Sequence, residues 1–386
     1  MKQEFNNRIK NVQEAIIKQQ ADACIISSSV NLFYLCGYIV DGYLFIQPEG
    51  NPILFVKRPD GIEKENVIYI RKPEQIPDFL RQKNIRLPKK LFIENDVLSY
   101  STVSRLQAAI GMPVLMNVSG EMRRIRSIKS EFELEQTREC AQIHADVYKK
   151  IPEIYRHGMT DIEFQIELER EMRLFGSFGV FRAFGENMEI FMGSILSGNN
   201  AQTPSPYDFA LGGAGLSPLL PIGANGTPLA SGTTFMVDMA GNFRPWMSDI
   251  SRTFAIGKVP EIAHRAHQVS IDIHNAIISS AKAGTACSEM YFLAEKMVSE
   301  ANLDEYFMGT KQQAKFIGHG VGLEVNEPPV LTPRSKEVLE VGMVIAIEPK
   351  FVLPNIGPVG IENTYIVTEN GLEKITVCEE SLITLT

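Results

Sequence analysis

Over the first ~120 residues the polar and apolar positions follow two periods. The spacing is helical over Lys2 to Gln20 and strand-like in the short runs Ala23 to Ser27, Tyr43 to Gln47, Ile53 to Val56 and Lys90 to Ile93. Pro48-Glu49-Gly50-Asn51 between two of those runs predicts a hairpin. Helices alternating with strands imply an α/β layer structure. Further on, Ser130 with Glu133 forms a capping-box pattern, followed by Phe132, Cys140, Ile143, Val147 and Ile151 at helical spacing. Gly158 closes that region, and Thr160 with Glu163 opens the next helix by the same device. Beyond residue 185 the texture shifts to Gly-rich loops and strand-like runs at Thr234 to Met239, Met343 to Ile347 and Ile361 to Val367. Helices are expected there at Pro260 to Lys282 and Ser288 to Asn302. The basic stretch Met122 to Lys129 reads as a solvated linker, dividing the chain into domains 1–124 and 125–386.

At 386 residues the chain exceeds what one core usually organises, in keeping with that division. Lys and Arg total 38 against 46 Asp and Glu, a formal charge of -8, and no long basic run tracks a phosphate backbone. Nucleic acid is therefore not an expected partner. Nor is a membrane, because the longest apolar stretches fall far short of the ~20 residues a spanning helix needs. Polar Lys2, Gln3 and Glu4 stand where a signal peptide needs an apolar core, so the expected location is cytoplasmic. Cys24, Cys36, Cys140, Cys287 and Cys378 are scattered without a CxxC pair and read as small hydrophobes in a reducing compartment.

Four carboxylates and one histidine sit on or beside strand-like apolar runs, where a charge is costly without a partner. Asp238 ends Phe235-Met236-Val237, and Asp249 follows eleven residues later, a spacing that lets a tight hairpin bring both carboxylates to one point. His319 lies between glycines in Gly318-His319-Gly320, Glu348 ends Val344-Ile345-Ala346-Ile347, and Glu362 lies in Gly360-Ile361-Glu362-Asn363. Any one of these carboxylates alone reads more readily as a solvated strand end. Four together would repel strongly, and two divalent cations would balance them in number. Oxygen ligands with a single imidazole favour Mn, Co, Fe or Zn over thiolate-loving metals.

These segments resemble the five metal-ligand motifs of the pita-bread metallopeptidase superfamily, which includes prolidase, aminopeptidase P and creatinase. Val237-Asp238-Met239-Ala240-Gly241, Ser248-Asp249-Ile250-Ser251-Arg252, Gly318-His319-Gly320-Val321-Gly322, Ile347-Glu348-Pro349 and Ile361-Glu362-Asn363-Thr364 fall in the family's order. Asn31-Leu32-Phe33-Tyr34-Leu35-Cys36-Gly37-Tyr38 resembles the creatinase-type N-terminal domain, and Ile125-Arg126-Ser127-Ile128-Lys129-Ser130 the start of the catalytic domain. The resemblance implies a mixed α/β (α+β) architecture: a creatinase-type N-terminal α/β domain, then a pita-bread catalytic domain with a dinuclear metal site. It implies two divalent ions per chain, Mn favoured, with Asp249 and Glu362 bridging them, Asp238 chelating one, and His319 and Glu348 holding the other. The implied activity is that of an Xaa-Pro dipeptidase or aminopeptidase, in which an activated water attacks a peptide or amide carbonyl and Glu348 passes the proton to the leaving amine. A homodimer is the implied assembly.

The sequence departs from that pattern around the substrate. Ser205, in Pro204-Ser205-Pro206, and Asn326, in Val325-Asn326-Glu327-Pro328, stand where family peptidases usually carry histidines, and Gly360 where the proline-specific branches carry an arginine. Ser205 and Asn326 are left as candidate substrate donors. The loss of all three groups opens an alternative, a creatinase-like C–N hydrolase or a lyase; a metal-retaining protein without catalysis is a more distant one. The Gly-rich stretch Leu211 to Gly226 is expected to form a lid or pocket wall. His264, His267 and His274 share one helical face and read as surface or interface residues, while Trp246 reads as core packing.

Overall fold

In the computed structural model residues 2–62, 65–185 and 192–386 are described, and they form two compact units, Met1–Arg126 and Ser127–Thr386. The predicted elements of the first unit form around the helix Lys2–Lys18 and a six-stranded sheet. From one edge to the other its strands are Val67–Tyr69, Ile53–Arg58, Asp41–Ile46, Ala23–Ile26, Lys90–Ile93 and Val114–Asn117. The expected hairpin is present, Asp41–Ile46 pairing antiparallel with Ile53–Arg58, whereas Ala23–Ile26 and Lys90–Ile93 run parallel. Ile25, Phe45, Phe55, Leu91 and Leu106 fill the core beneath the sheet. Buried Glu94, just past the strand Lys90–Ile93, accepts hydrogen bonds from the backbone N–H groups of Ser27 and Ser28 and from Asn31 Nδ2.

The basic stretch is not a solvated linker. It lies largely within the helix Ser119–Ser127, with Met122, Arg126, Ser127 and Lys129 all buried. Arg126 Nη1 donates to Asn31 Oδ1 at 2.5 Å, and Lys129 Nζ donates to Glu327 Oε2 at 3.2 Å. Arg126 and Lys129 therefore have fixed partners, which a run of charges read only as charge could not reveal.

In the second unit both capping boxes form, starting the helices Glu131–Tyr148 and Asp161–Leu174 with reciprocal side-chain bonds to orphan N–H groups. These two helices pack against a four-stranded sheet of Gly193–Ser197, Thr234–Gly241, Ser248–Ile256 and Ile383–Leu385. A second sheet runs Glu327–Val330, Gly318–Gly320, Val344–Ile347, Asn363–Val367 and Leu372–Lys374, and the pair Lys350–Leu353 and Gly357–Gly360 forms a separate ribbon. Helix Glu261–Ser280 covers that ribbon, with Cys287–Glu300 against its outer side. Trp246 is buried edge-on against Phe132, as expected of core packing. Among the described residues no helix is long and apolar enough to cross a membrane.

Candidate metal centre and active-site cleft

The long hairpin Thr234–Gly241 and Ser248–Ile256 sets Asp238 opposite Ser251 and Ala240 opposite Asp249. Since alternate residues share a face, Asp238 and Asp249 lie diagonally on one side of the sheet. His319 pairs with Ala346 from the neighbouring strand, and Glu348 follows that strand directly. The glycines beside His319 permit this crowding: a Cβ at Gly318 would stand 2.1 Å from the Ala346 carbonyl, and one at Gly320 2.1 Å from that of Pro328. Glu362 bridges to Ser251 from the far side, its N–H donating to the Ser251 carbonyl at 3.1 Å. Two sets of ligand atoms result, Asp249 with His319 and Glu362, and Asp238 with Glu348 and Glu362, the atoms within each set lying no more than 4.8 Å apart. All five residues singled out from the sequence thus converge.

One residue in the cluster was not anticipated. The Lys350 ammonium donates to Asp238 Oδ2 at 2.9 Å, Glu348 Oε2 at 2.6 Å and Glu362 Oε2 at 3.0 Å, and its side chain is fully buried. Burial alone would push this ammonium down, but Asp238, Glu348 and Glu362 together hold it well above its ordinary range. The available signal was a lysine opening the apolar run Phe351-Val352-Leu353 two residues beyond Glu348, a placement tolerated only with anionic partners.

The rest of the cluster remains short of positive charge. Burial, then Glu362, Asp238 and Glu348, drive the Asp249 carboxyl well above the carboxylate range. Burial and Glu348 push Glu362 up to about 7. A divalent cation beside Asp249, His319 and Glu362 would relieve both, and two carboxylates with an imidazole make a suitable donor set. The other set fits an ion poorly. A divalent charge about 3 Å from a fixed ammonium meets repulsion on the order of 10 kcal/mol at an effective dielectric of about 20.

Residues not read as ligands from the sequence fix these groups. Ser251 Oγ donates to Glu362 Oε2 at 2.6 Å, and Arg252 Nη1 donates to the Glu362 carbonyl at 2.8 Å. Two of the three histidines expected at a surface or interface, His267 and His274, are instead buried against the chain leading into Glu362. His267 Nδ1 accepts from the Gly360 N–H, so its Nε2–H donates to the Glu380 carbonyl at 2.7 Å. His274 Nε2–H donates to the Ile361 carbonyl at 3.3 Å, leaving Nδ1 to accept from the Tyr365 hydroxyl at 2.8 Å. His264 is exposed, as expected. Thr364 Oγ1 accepts from the Asp249 N–H and donates to the Asp249 carbonyl, both at 2.8 Å. Thr364→Val is expected to cost about 1–3 kcal/mol, because a buried N–H loses its acceptor; urea unfolding of wild type and variant would measure this.

The carboxylates form the floor of a cleft of roughly 580 Å³, counting the solvent at its mouth. Phe181, Phe209, Leu211, Ile222, Phe316 and Val325 wall it. The Gly-rich stretch therefore serves as a wall through Leu211 and Ile222. Asn326 lines the cleft, but its amide is clamped on backbone, Nδ2 donating to the Phe184 carbonyl and Oδ1 accepting the Phe184 N–H, each at 2.7 Å. Ser205 lines an adjoining depression, where its Oγ accepts from the Tyr207 N–H. Among the described lining residues the charged groups are Asp208 and the four clustered carboxylates, with neither Arg nor Lys.

Comparison with known proteins agrees with this architecture. Residues 8–128 match the creatinase/prolidase N-terminal domain and residues 135–369 match metallopeptidase family M24. The chain is 27% identical over 383 residues to an Xaa-Pro dipeptidase of Pyrococcus horikoshii, covering 98% of this chain and 99% of that one. It is 29% identical over 298 residues to an uncharacterised peptidase of Bacillus subtilis, covering 77% and 75% of the two chains. The crystal structure of the Pyrococcus horikoshii prolidase superposes with a TM-score of 0.79 at 25% identity, over 98% of this chain and 100% of that one. An Xaa-Pro dipeptidase from Bacillus anthracis shares the fold, with a TM-score of 0.81 at 24% identity over 99% and 100%. Domain by domain, then, the chain belongs to metallopeptidase family M24, with a creatinase/prolidase N-terminal domain ahead of a pita-bread catalytic domain.

Proposed function

We propose that the chain is a divalent-metal-dependent hydrolase that cleaves the C–N bond before proline in small peptides and takes its substrate by a cationic amine. The observation that carries this reading is the acidic cleft: five carboxylates and no Arg or Lys among its described lining residues, with aromatic walls on either side. A free amine finds counter-charge there, whereas the terminal carboxylate of a dipeptide does not.

Asp249, His319 and Glu362 are the residues that would hold the ion, which when bound supplies a Lewis acid and lowers the pKa of a coordinated water from about 15.7 towards neutrality. Glu348 carries the proton. Burial raises its carboxyl above the ordinary range against the opposing pull of Lys350, which favours its taking up a proton during the reaction. Lys350 fixes Oε2 of that carboxyl, leaving Oε1, 3.4 Å from His319 Nε2, to deliver the proton to the leaving amine. Phe181, Phe209 and Phe316 exclude water from the reacting bond.

The test is turnover of Xaa-Pro dipeptides, Xaa-Pro-Xaa tripeptides and their amidated forms by protein loaded with Mn²⁺, Co²⁺ or Zn²⁺, with Asp249→Ala as control. Tripeptides and amides are expected to be cleaved at least about tenfold faster than free dipeptides, one charge pair in a desolvated site being worth more than ~1.4 kcal/mol. Turnover should vanish in Asp249→Ala. A second reading, a non-peptidase C–N hydrolase or lyase, is favoured by Ser205 lying off the cleft and by the clamping of Asn326 on Phe184. Absence of peptide cleavage by metal-loaded protein would select it.

A further inference from the structure

We infer that Lys350 is a built-in cation that replaces one of the two metal ions of the family's centre, so that this chain binds a single divalent ion, at Asp249, His319 and Glu362. The inference rests on reading the cluster as a metal centre.

An ammonium has three N–H donors, and here each meets a different carboxylate, Asp238, Glu348 and Glu362, at 2.6–3.0 Å. Those are the residues of one of the two ligand sets. The group takes one oxygen from every residue of that set, with no donor left over and no solvent to withdraw into, since the Lys350 side chain is fully buried. The strand behind it is no easier to move: Phe351, Val352 and Leu353 are buried, and Lys350 pairs with Gly360, where a Cβ would already press on Lys350 Cα at 3.1 Å.

Lys350 also reaches the cluster from beneath. Asp238, Glu348 and Glu362 line the cleft, and Lys350 does not. An ion arriving from the cleft finds these oxygens already drawn towards a charge on their far side. The other set is differently placed. Neither Asp249 nor His319 is bonded to Lys350, and the shared residue, Glu362, gives Lys350 and Ser251 the same oxygen, Oε2, leaving Oε1 for an ion. The arrangement separates two tasks that a dinuclear centre gives to metals. Lys350 neutralises and fixes carboxylates, while the ion keeps access to the cleft.

Metal-stripped protein incubated with excess Mn²⁺ or Zn²⁺, desalted and analysed for metal per chain provides the test. Wild type is expected to retain one ion and Lys350→Met, which removes the charge but keeps much of the volume, to retain two. The Mn²⁺-loaded wild type should give the electron paramagnetic resonance signal of an isolated ion, a measurement that needs no variant and stands if Lys350→Met fails to fold. Two ions or none in wild type, a spin-coupled Mn²⁺ pair, or any count but two in folded Lys350→Met would overturn the inference. Stoichiometry does not depend on substrate. One ion with no peptide cleavage would defeat the functional reading alone, and peptide cleavage with two ions would defeat this inference alone.

Discussion

Between pH 5.5 and 4.5, wild-type protein is expected to lose about 1.4 kcal/mol more stability than His274→Gln, and about the same relative to His267→Gln. Burial lowers both imidazoles from 6.5 to about 4, and His144 to about 3. Each folded-state pKa lies below the unfolded value, so the unfolded chain takes up protons first as pH falls. The stability each neutral ring contributes is complete above about pH 6.5 and is lost progressively towards pH 4. With all three acting, the slope approaches about 4 kcal/mol per pH unit in that window. Asp249, Glu348 and Glu362 pull the other way, because their folded-state pKa values are raised and protonation favours the folded form. They are common to wild type and variant, so the difference between two unfolding curves isolates the histidine. Trp246, the chain's single tryptophan, is buried in the second unit, and its fluorescence during urea unfolding reports on that unit. Curves that stay parallel from pH 6.5 to 4.5 would show that these rings are not the source of acid lability.

The same histidines mark the limit of what the sequence revealed. Helical spacing placed His267 and His274 on one face but left open whether that face meets solvent. Their neighbours at the same spacing, Ala263, Ala266, Ser270, Ile273 and Ile277, are small or apolar and all buried, and that stripe was the available signal. Helix starts were legible because a capping box is local: Ser130 with Glu133 and Thr160 with Glu163 satisfy backbone donors within four residues. The convergence of Asp238, Asp249, His319, Glu348 and Glu362 was legible because the five charges, each beside an apolar run, stand in the order of motifs that resemble those of the pita-bread superfamily. Lys350, a charge opening an apolar run, signals an anionic partner, but nothing local identifies that partner as Asp238, 112 residues away in the chain. The basic stretch before Ser130 failed for the same reason. Its partners, Asn31 for Arg126 and Glu327 for Lys129, lie far away in sequence.

Arg252→Met is expected to destabilise the second unit by about 3–5 kcal/mol and to weaken Mn²⁺ binding by about 10–100-fold. The guanidinium is buried and its donors tie together three separate stretches of chain: Nε on the Glu379 carbonyl at 2.7 Å, Nη1 on the Ser251 and Glu362 carbonyls at 2.8 Å, and Nη2 on Asn363 Oδ1 at 2.8 Å. Methionine keeps the apolar stem and removes the fork, withdrawing the donor from each buried acceptor at about 1–3 kcal/mol apiece before relaxation. Arg252 does not line the cleft, so any effect on ion affinity passes through the position of Glu362. Arg252→Lys retains the charge without the planar fork and is expected to recover less than half of either loss. Urea unfolding and Mn²⁺ titration of the three proteins check both expectations. Full recovery by lysine would mean that charge alone matters at this position. A stability loss with unchanged Mn²⁺ affinity would mean that Glu362 keeps its place through Ser251, His267 and His274 without the arginine.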